Sequence, residues 1–397
     1  MIIGLDASRA NVTRRTGTER YAWEVIRRML PKLPQHQVRL YVREAMLADW
    51  PPLPSNVEVR ILSWPPGVLW THLRLSWELL WHRPDVLFVP ADTVPLIHPK
   101  KTITTIHDLA FERWPELYRR ASVQRQMGWL RPIIHLVVRI VTLGKYSASE
   151  RDYHRWSVRQ AVRTCSKILT VSEFSKREIV DILKVAPERI VVTYPGVDQP
   201  EYFSAITETR KKTTLDEAHI TKPFFLFIGR LEKKKNISTL VEAYRKYIDT
   251  VPNPIDLVLV GTPGYGWEEV EPVVKSPGLQ DRIHVLGWQS DDVVDILRCT
   301  ATATVILSQY EGFGLPALES LSAGVPVIAS RHGSLPEVLS TSALYVDTNN
   351  LEAVAVGMQR IVEDQSLRTS LIGSGRQRVH DFLWDRTAEQ TLTALVR

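Results

Sequence analysis

Short apolar runs rich in β-branched residues recur along this chain, and each is followed by a stretch whose apolar positions repeat at helical spacing. That alternation predicts parallel strands buried on both faces and joined by covering helices. Seven strands are expected early in the chain, at 2–8, 38–42, 57–62, 86–90, 102–108, 167–172 and 190–195. Six more are expected later, at 224–230, 256–261, 283–287, 303–308, 326–330 and 343–347. Between the two sets, 204–222 is polar and without apolar period, and reads as a linker. The pattern divides the chain into a first Rossmann-like domain at 1–205, a second at 206–383, and a terminal helix at 384–397. Asp385 is expected to cap that helix, which is expected to pack back on the first domain. Two doubly wound α/β domains that face each other would bind a ligand beyond the carboxyl ends of their strands.

Composition agrees with this division. A chain of 397 residues suits two domains, and 44% hydrophobic with 24% charged residues is a soluble globular balance. Its two cysteines, Cys165 and Cys299, have no metal-ligand spacing, so buried thiols in a reducing compartment are expected. The opening "MIIGLDASR" reads directly as a strand with no export signal, so a cytoplasmic protein is expected. No run approaches the roughly 20 apolar residues that span a bilayer.

Charge changes the picture more. The net charge is +6, but residues 1–205 hold 30 Lys+Arg against 20 Asp+Glu, while the remainder holds 20 against 24. An anionic partner for the first half follows, either nucleic acid or anionic lipid. Within that half, "MGWLRPIIHLVVRIVTLGKY" (127–146) puts Trp129, Ile133, Leu136, Val137, Ile140 and Val141 on one helical face, interrupted by Arg131 and Arg139. Core packing is one reading of this segment. A peripheral helix on an anionic membrane surface is the other.

Neither G-x-G-x-x-G at a first strand–helix turn nor a Walker lysine motif occurs, which argues against dinucleotide oxidoreductases and P-loop enzymes. Instead the first strand of the second half runs into "GRLEKKKNISTL" (229–240). There Arg230 and Lys235 suit a diphosphate, Asn236 can cap the next helix, and Lys233 and Lys234 read as solvated. A merely solvated basic turn is the plain alternative. "LSQYEGFGLPALES" (307–320) then passes from strand through loop to helix. Amides near Gly314 and Leu315 can hold an anion there, and Glu311 can accept hydrogen bonds from sugar hydroxyls. Glu319, four residues after Leu315, suits a second diol such as a ribose. The plain alternative leaves Glu311 on the surface and Glu319 complementing the helix dipole. In "HVLGWQSDD" (284–292) the backbone near Leu286 is expected to meet a nucleobase and Trp288 to pack. No pair of carboxylates or histidines has the spacing of a Mg²⁺ or Mn²⁺ site, so no metal or other cofactor is expected.

Taken in order, "TTIHDLAF" (104–111), "VSEFSKREI" (171–179), "VTYPGVD" (192–198), "GRLEKKKN", "GFGLPALE" and "GSLPEV" (333–338) resemble a family 4 retaining glycosyltransferase of GT-B fold. The likeness covers nearly the whole chain and leans to the bacterial mannosyltransferase-like branch that builds polysaccharide or lipid-linked glycans. It implies that Arg230 and Lys235 hold the donor diphosphate, Glu311 the transferred sugar and Glu319 the ribose, with Gly312, Phe313, Gly314, Leu315 and Leu286 completing the donor site. His107 would sit beside the donor sugar, and Gly17 and Thr18 in a loop facing donor and acceptor. The family's glycine pair in that loop is only "TGT" here, and Asn236 stands where many members carry glycine.

The implied reaction moves a hexose, mannose favoured, from a nucleotide sugar such as GDP-mannose to a glycan or lipid-linked acceptor. Same-face attack, with a phosphate oxygen taking the acceptor proton, would retain configuration. A His107–Asp108 general-base dyad would instead predict inversion, so His107 is read as a hydrogen-bonding group for the sugar; a satisfied strand-end histidine is the plain alternative. A lipid-linked acceptor would bring the enzyme to the inner face of the cell membrane. Two rivals remain: a sugar-nucleotide epimerase or phosphorylase of the same fold, and a non-enzymatic nucleic-acid-binding protein using the basic half. A phosphorylase would need a pyridoxal-phosphate lysine motif that is not found. Nucleic-acid binding would leave Glu311 and Glu319 without a purpose, so no nucleic-acid partner is expected.

Overall fold

The computed structural model describes residues 1–64, 69–118 and 150–396. Segment 127–146 lies outside the described residues. The chain forms two compact units, Met1–Gly196 with Trp384–Arg397, and Val197–Leu383.

The first unit holds β1 (Ile2–Asp6), β2 (Gln37–Val42), β3 (Val57–Ile61), β4 (Val86–Val89), β5 (Thr102–Ile106), β6 (Lys167–Thr170) and β7 (Ile190–Val192). They form one sheet in the order β3-β2-β1-β4-β5-β6-β7, and every pairing is parallel. The second unit holds β8 (Phe224–Ile228), β9 (Asp256–Val260), β10 (Ile283–Gly287), β11 (Ala303–Ile306), β12 (Val327–Ala329) and β13 (Ala343–Tyr345). Their order is β10-β9-β8-β11-β12-β13, again all parallel.

Burial on both faces explains why the strands read as unbroken apolar runs. Along β8, Phe225 and Phe227 enter a core with Leu240, Tyr244 and Met358, from helices Ile237–Thr250 and Leu351–Glu363. Phe224 and Leu226, the alternate residues, enter the opposite core with Leu297 and Val258. Each such side chain contributes about 1.5–3 kcal/mol on burial. In β5 three threonines share the interior: Thr102 and Thr104 donate to the carbonyls of Pro99 (2.7 Å) and Ala91 (2.5 Å). Tyr21 Oη lies 3.4 Å from Thr105 Oγ1.

All thirteen expected strands are present, but several stop one to three residues short of the apolar pattern. Those overruns, including His107, Gly229, Arg230 and Ser308, form the first loop residues beyond the carboxyl ends. The expected linker is also different. Residues Pro200–Ser204 and Glu208–Glu217 are helical and belong to the second unit. The boundary therefore falls after Gly196 rather than after residue 205. Val197 N donates to Phe382 O (3.2 Å), Tyr202 Oη donates to Asp295 (2.9 Å), and Phe203 is buried, which ties the stretch to the second unit.

Helix Trp384–Val396 packs in the first unit through Trp384 beside Tyr21, Thr387 Oγ1 donating to Tyr194 O (2.5 Å), and Lys32 paired with Glu389 at 2.6 Å. Asp385 is not its cap. The helix starts one residue earlier, leaving Asp385 in the first turn near Arg28 and Lys32, where its charge complements the dipole.

Candidate functional site

In both sheets the strand order reverses beside the first strand, between β1 and β4 and between β8 and β11. Ligands in doubly wound sheets bind beyond the carboxyl ends at such a reversal. In the second unit the two loops that leave this point are 229–236, after β8, and 307–314, after β11. They are joined directly, because Gln309 N donates to Lys234 O at 2.9 Å.

The loop after β8 makes a single 3₁₀ turn over Lys233–Lys235 and ends at Asn236, which takes the left-handed conformation (φ 58°). Asn236 stands before helix Ile237–Thr250 but makes no side-chain cap bond, a correction to the capping expectation. Its fitness lies in tolerating positive φ, as glycine would. Lys233 is not simply solvated: it pairs with Glu269 at 3.0 Å and lies 5.4 Å from the Tyr265 ring. Lys235 and Arg230 are the two cations of this loop that the sequence assigns to a diphosphate. Arg230 is exposed, with Nε 3.7 Å from Glu232. Lys235 is mostly buried and reaches across to the other loop.

Its partner there is Glu311: Lys235 Nζ lies 2.6 Å from Glu311 Oε1, and Ser308 Oγ donates to the same oxygen at 2.7 Å. Glu311 is not a surface residue, at 9% exposure. Its carbonyl accepts from Ser334 N (3.1 Å) and Ser334 Oγ (3.0 Å). Gly333 allows that approach, because a Cβ there would stand 2.6 Å from Glu311 O. Phe313 is buried beside Phe382, with ring centroids 5.7 Å apart. Gly314 (φ 94°) then opens helix Leu315–Ser322, and its own carbonyl accepts from Ala317 N at 3.0 Å. Pro316 carries no amide hydrogen, so the amides at this helix start belong to Gly314 and Leu315. Together the two loops offer a cation, a carboxylate and a helix N-terminus within one short span, which can hold an anion next to a hydroxyl-bearing group.

Glu319 lies on the same helix but is buried, at 7% exposure, and paired with Arg298 at 2.6 Å. Sequence reading missed Arg298, since an arginine within an amphipathic helix gives no signal of burial. It also missed Ser308 and Ser334, although the "LSQYE" and "GSLPEV" stretches held them in view. Leu286 sits on the edge strand β10, with its carbonyl accepting from Gln289 Nε2 at 2.8 Å. Trp288, expected to pack, is 44% exposed beyond that strand.

In the first unit, His107 follows β5 and is half-buried beside Tyr21, with ring centroids 4.8 Å apart. Its Nε2 lies 2.9 Å from Pro90 O; a carbonyl only accepts, so Nε2 carries the hydrogen. Burial pushes the His107 pKa down, against the Pro90 bond and the charges of Asp92 and Asp108. The ring is then neutral near pH 7 with Nδ1 as its acceptor. Asp108 accepts from Ala110 N at 3.1 Å, while the imidazole N–H goes to a backbone carbonyl, so the geometry of a His–Asp base dyad is not formed. Gly17 and Thr18 do not lie in a loop. Gly17 opens helix Gly17–Met29, where Thr16 precedes it and pairs its hydroxyl with Glu19. A Cβ at Gly17 would meet nothing within 4 Å.

Among the described residues, no group of three or more His, Cys, Asp or Glu is arranged to hold a metal, and no helix is long and apolar enough to cross a membrane.

Two doubly wound parallel sheets with such a site at a strand-order reversal are the architecture of GT-B glycosyltransferases, and solved structures share it. The glycosyltransferase WaaG, involved in lipopolysaccharide biosynthesis, superposes with a TM-score of 0.69 at 14% identity over 100% of both chains. Anabaena HepE, solved with UDP and glucose, gives 0.69 at 15% identity over 99% of this chain and 98% of its own. The family models agree: residues 15–199 match Glycosyltransferase Family 4, and residues 206–378 match Glycosyl transferases group 1. The chain belongs to the family 4 glycosyltransferases of GT-B fold. Among curated relatives, the Escherichia coli O-antigen chain mannosyltransferase B is 26% identical over 96% of this chain and 95% of its own. A Mycolicibacterium hassiacum MMP alpha-(1->4)-mannosyltransferase is 28% identical over 69% and 61%.

Proposed function

We propose that this glycosyltransferase moves a hexose, mannose in first place, from a nucleoside diphosphate sugar to a glycan or lipid-linked acceptor in polysaccharide biosynthesis, with retention and without a metal. The observation that carries the proposal is the Lys235–Glu311 contact beside the helix start at Gly314 and Leu315. The departing diphosphate gains negative charge, and Lys235, Arg230 and the helix amides can stabilise it without reorganising. Glu311, held by Ser308 and Ser334, accepts hydroxyls of the transferred sugar. Gly312 and Phe313 shape the loop between, Glu319 meets the ribose, and the Leu286 segment meets the base. His107 contributes its Nδ1 lone pair as an acceptor for a sugar hydroxyl, and Gly17 and Thr18, in the first turn of helix Gly17–Met29, meet donor and acceptor. Mannose is favoured because two of the mannosyltransferases similar to this chain carry that name.

The decisive experiment incubates pure protein with a panel of nucleotide sugars and follows nucleoside diphosphate release, with the product's anomeric configuration read by NMR. An inverted product, or release from no nucleotide sugar in the presence of polysaccharide or polyprenyl-linked acceptors, would refute the proposal. A lipid-linked acceptor also predicts peripheral binding to anionic vesicles that weakens with salt, at about 1 kcal/mol per basic residue near the surface.

A further inference from the structure

Glu319 does not stand by itself. Arg298, on helix Asp291–Thr300, is 2% exposed and divides its guanidinium between two carboxylates. Nη2 reaches Glu319 Oε2 at 2.6 Å, and Nη1 bonds Asp295 one turn earlier on its own helix. Asp295 Oδ2 in turn accepts from Tyr202 Oη at 2.9 Å. Asp295 and Glu319 are 5% and 7% exposed, so one buried cation holds two buried anions in a chain of four side chains drawn from three helices.

Buried clusters of this kind add little net stability over an apolar replacement, because desolvation offsets most of the attraction. What the arrangement does supply is geometry. A guanidinium is planar and rigid, and it fixes both carboxylates at once, as an ammonium on a flexible stem does not. The helix that carries Arg298 leads straight into β11, whose following loop carries Glu311. Arg298 thus references Glu319 to the same strand that references Glu311.

We propose that Arg298 is a positioning residue: through its bond to Glu319 Oε2 it orients that carboxylate for the vicinal diol of the nucleoside ribose, and so sets the discrimination between ribo- and 2′-deoxyribonucleotides. The proposal rests on the ribose role of Glu319 given above.

The test measures binding of GDP and UDP against their 2′-deoxy forms by calorimetry, for wild type, Glu319→Gln, Arg298→Lys and the double variant Asp295→Asn/Arg298→Gln. Arg298→Lys keeps the charge and loses the fork. The double variant removes the guanidinium and one of its carboxylates, so the buried net charge is unchanged, and it serves if Arg298→Lys does not fold. Wild type should prefer the ribo form of whichever nucleotide it binds by at least about tenfold, the worth of a hydrogen bond to a charged group. Glu319→Gln should abolish most of that preference. Arg298→Lys, or the double variant, should reduce it to within about threefold while binding of the 2′-deoxy form stays near wild type. A structural role alone would weaken both forms together. If Glu319→Gln removes the preference and the folded Arg298 variants retain it, Arg298 does not position Glu319. If wild type shows no preference, or Glu319→Gln keeps it, the ribose role itself fails, and the inference with it.

Discussion

Lys235 and Glu311 offer the sharpest energetic test, because each neutralises the other in the absence of donor. Their side chains are 17% and 11% exposed and 2.6 Å apart. At an effective dielectric of about 20 the gross attraction is roughly 6 kcal/mol, before the desolvation of both ions is subtracted. Removing one partner of a buried pair costs about 3–5 kcal/mol, since the other charge is left uncompensated. Ser308 still donates to Glu311 at 2.7 Å, so Lys235→Met is expected at the lower end, about 3 kcal/mol. For a unit of this size that lowers Tm by roughly 6–12 °C. The double variant Lys235→Met/Glu311→Gln leaves neither charge behind, and should be more stable than the two single losses predict by about 2 kcal/mol. Thermal unfolding of all four proteins without ligand gives the coupling, with transitions fitted separately because a two-unit chain need not unfold in one step. Single effects that add within about 0.5 kcal/mol would mean the contact carries no coupling energy, and the argument that each charge neutralises the other would be refuted.

Three further outcomes follow from the site. Lys235→Ala and Arg230→Ala should each slow transfer by about 10²–10³ at saturating donor, because each removes a cation from the leaving group; a loss below about threefold in both removes the diphosphate assignment. Glu311→Gln should impair sugar handling more than nucleotide binding, whereas Glu319→Gln should weaken binding of the product nucleotide; calorimetry that finds wild-type affinity in both contradicts the split. Transfer should survive chelator, and complete loss restored by Mg²⁺ or Mn²⁺ would point to a metal site not recognised above.

The sheets were legible because a doubly buried strand writes its length into the sequence as an apolar run. Strand ends were not, since Leu307 remains apolar and buried after β11 has stopped pairing. The helix Glu208–Glu217 reads as a linker in sequence because it is polar nearly all round. It is held instead by a Thr207 cap and a few apolar contacts such as that of Leu215. At the site, the course from strand through loop to helix was readable from the glycines and the proline. What each charge touches was not. Glu311 and Glu319 look alike in sequence, yet one faces a lysine of the neighbouring loop and the other a buried arginine from another helix. Those partners are 76 and 21 residues away, beyond any local pattern.

His72 gives a pH dependence whose sign can be worked out from geometry. It is 2% exposed, and its Nδ1 lies 2.9 Å from Val94 O, so Nδ1 must carry the hydrogen. Nε2 lies 3.2 Å from Tyr153 Oη and accepts from it. The neutral ring is satisfied at both nitrogens, and a second proton would cost the Tyr153 bond. Burial accordingly pushes the pKa down to about 4, against the Val94 bond and the charge of Asp92. Below about pH 6.5 the unfolded chain takes up a proton that the native chain refuses. Native stability is therefore fully present above that value and falls as the medium is acidified toward pH 4. Between pH 7.5 and 5 the loss from this group should be about 2 kcal/mol, at 1.36 kcal/mol per pH unit of difference. His107, also lowered by burial, adds in the same direction, whereas Asp6, raised by burial, acts oppositely. His72→Asn isolates the effect: its amide can still donate to Val94, but it does not titrate. Urea unfolding of the first unit across that range should show the variant less stable at pH 7.5 yet losing about 2 kcal/mol less on acidification. Parallel pH profiles for the two proteins would show that His72 takes up its proton in the folded state, and that the buried neutral ring is not what the unit is built around.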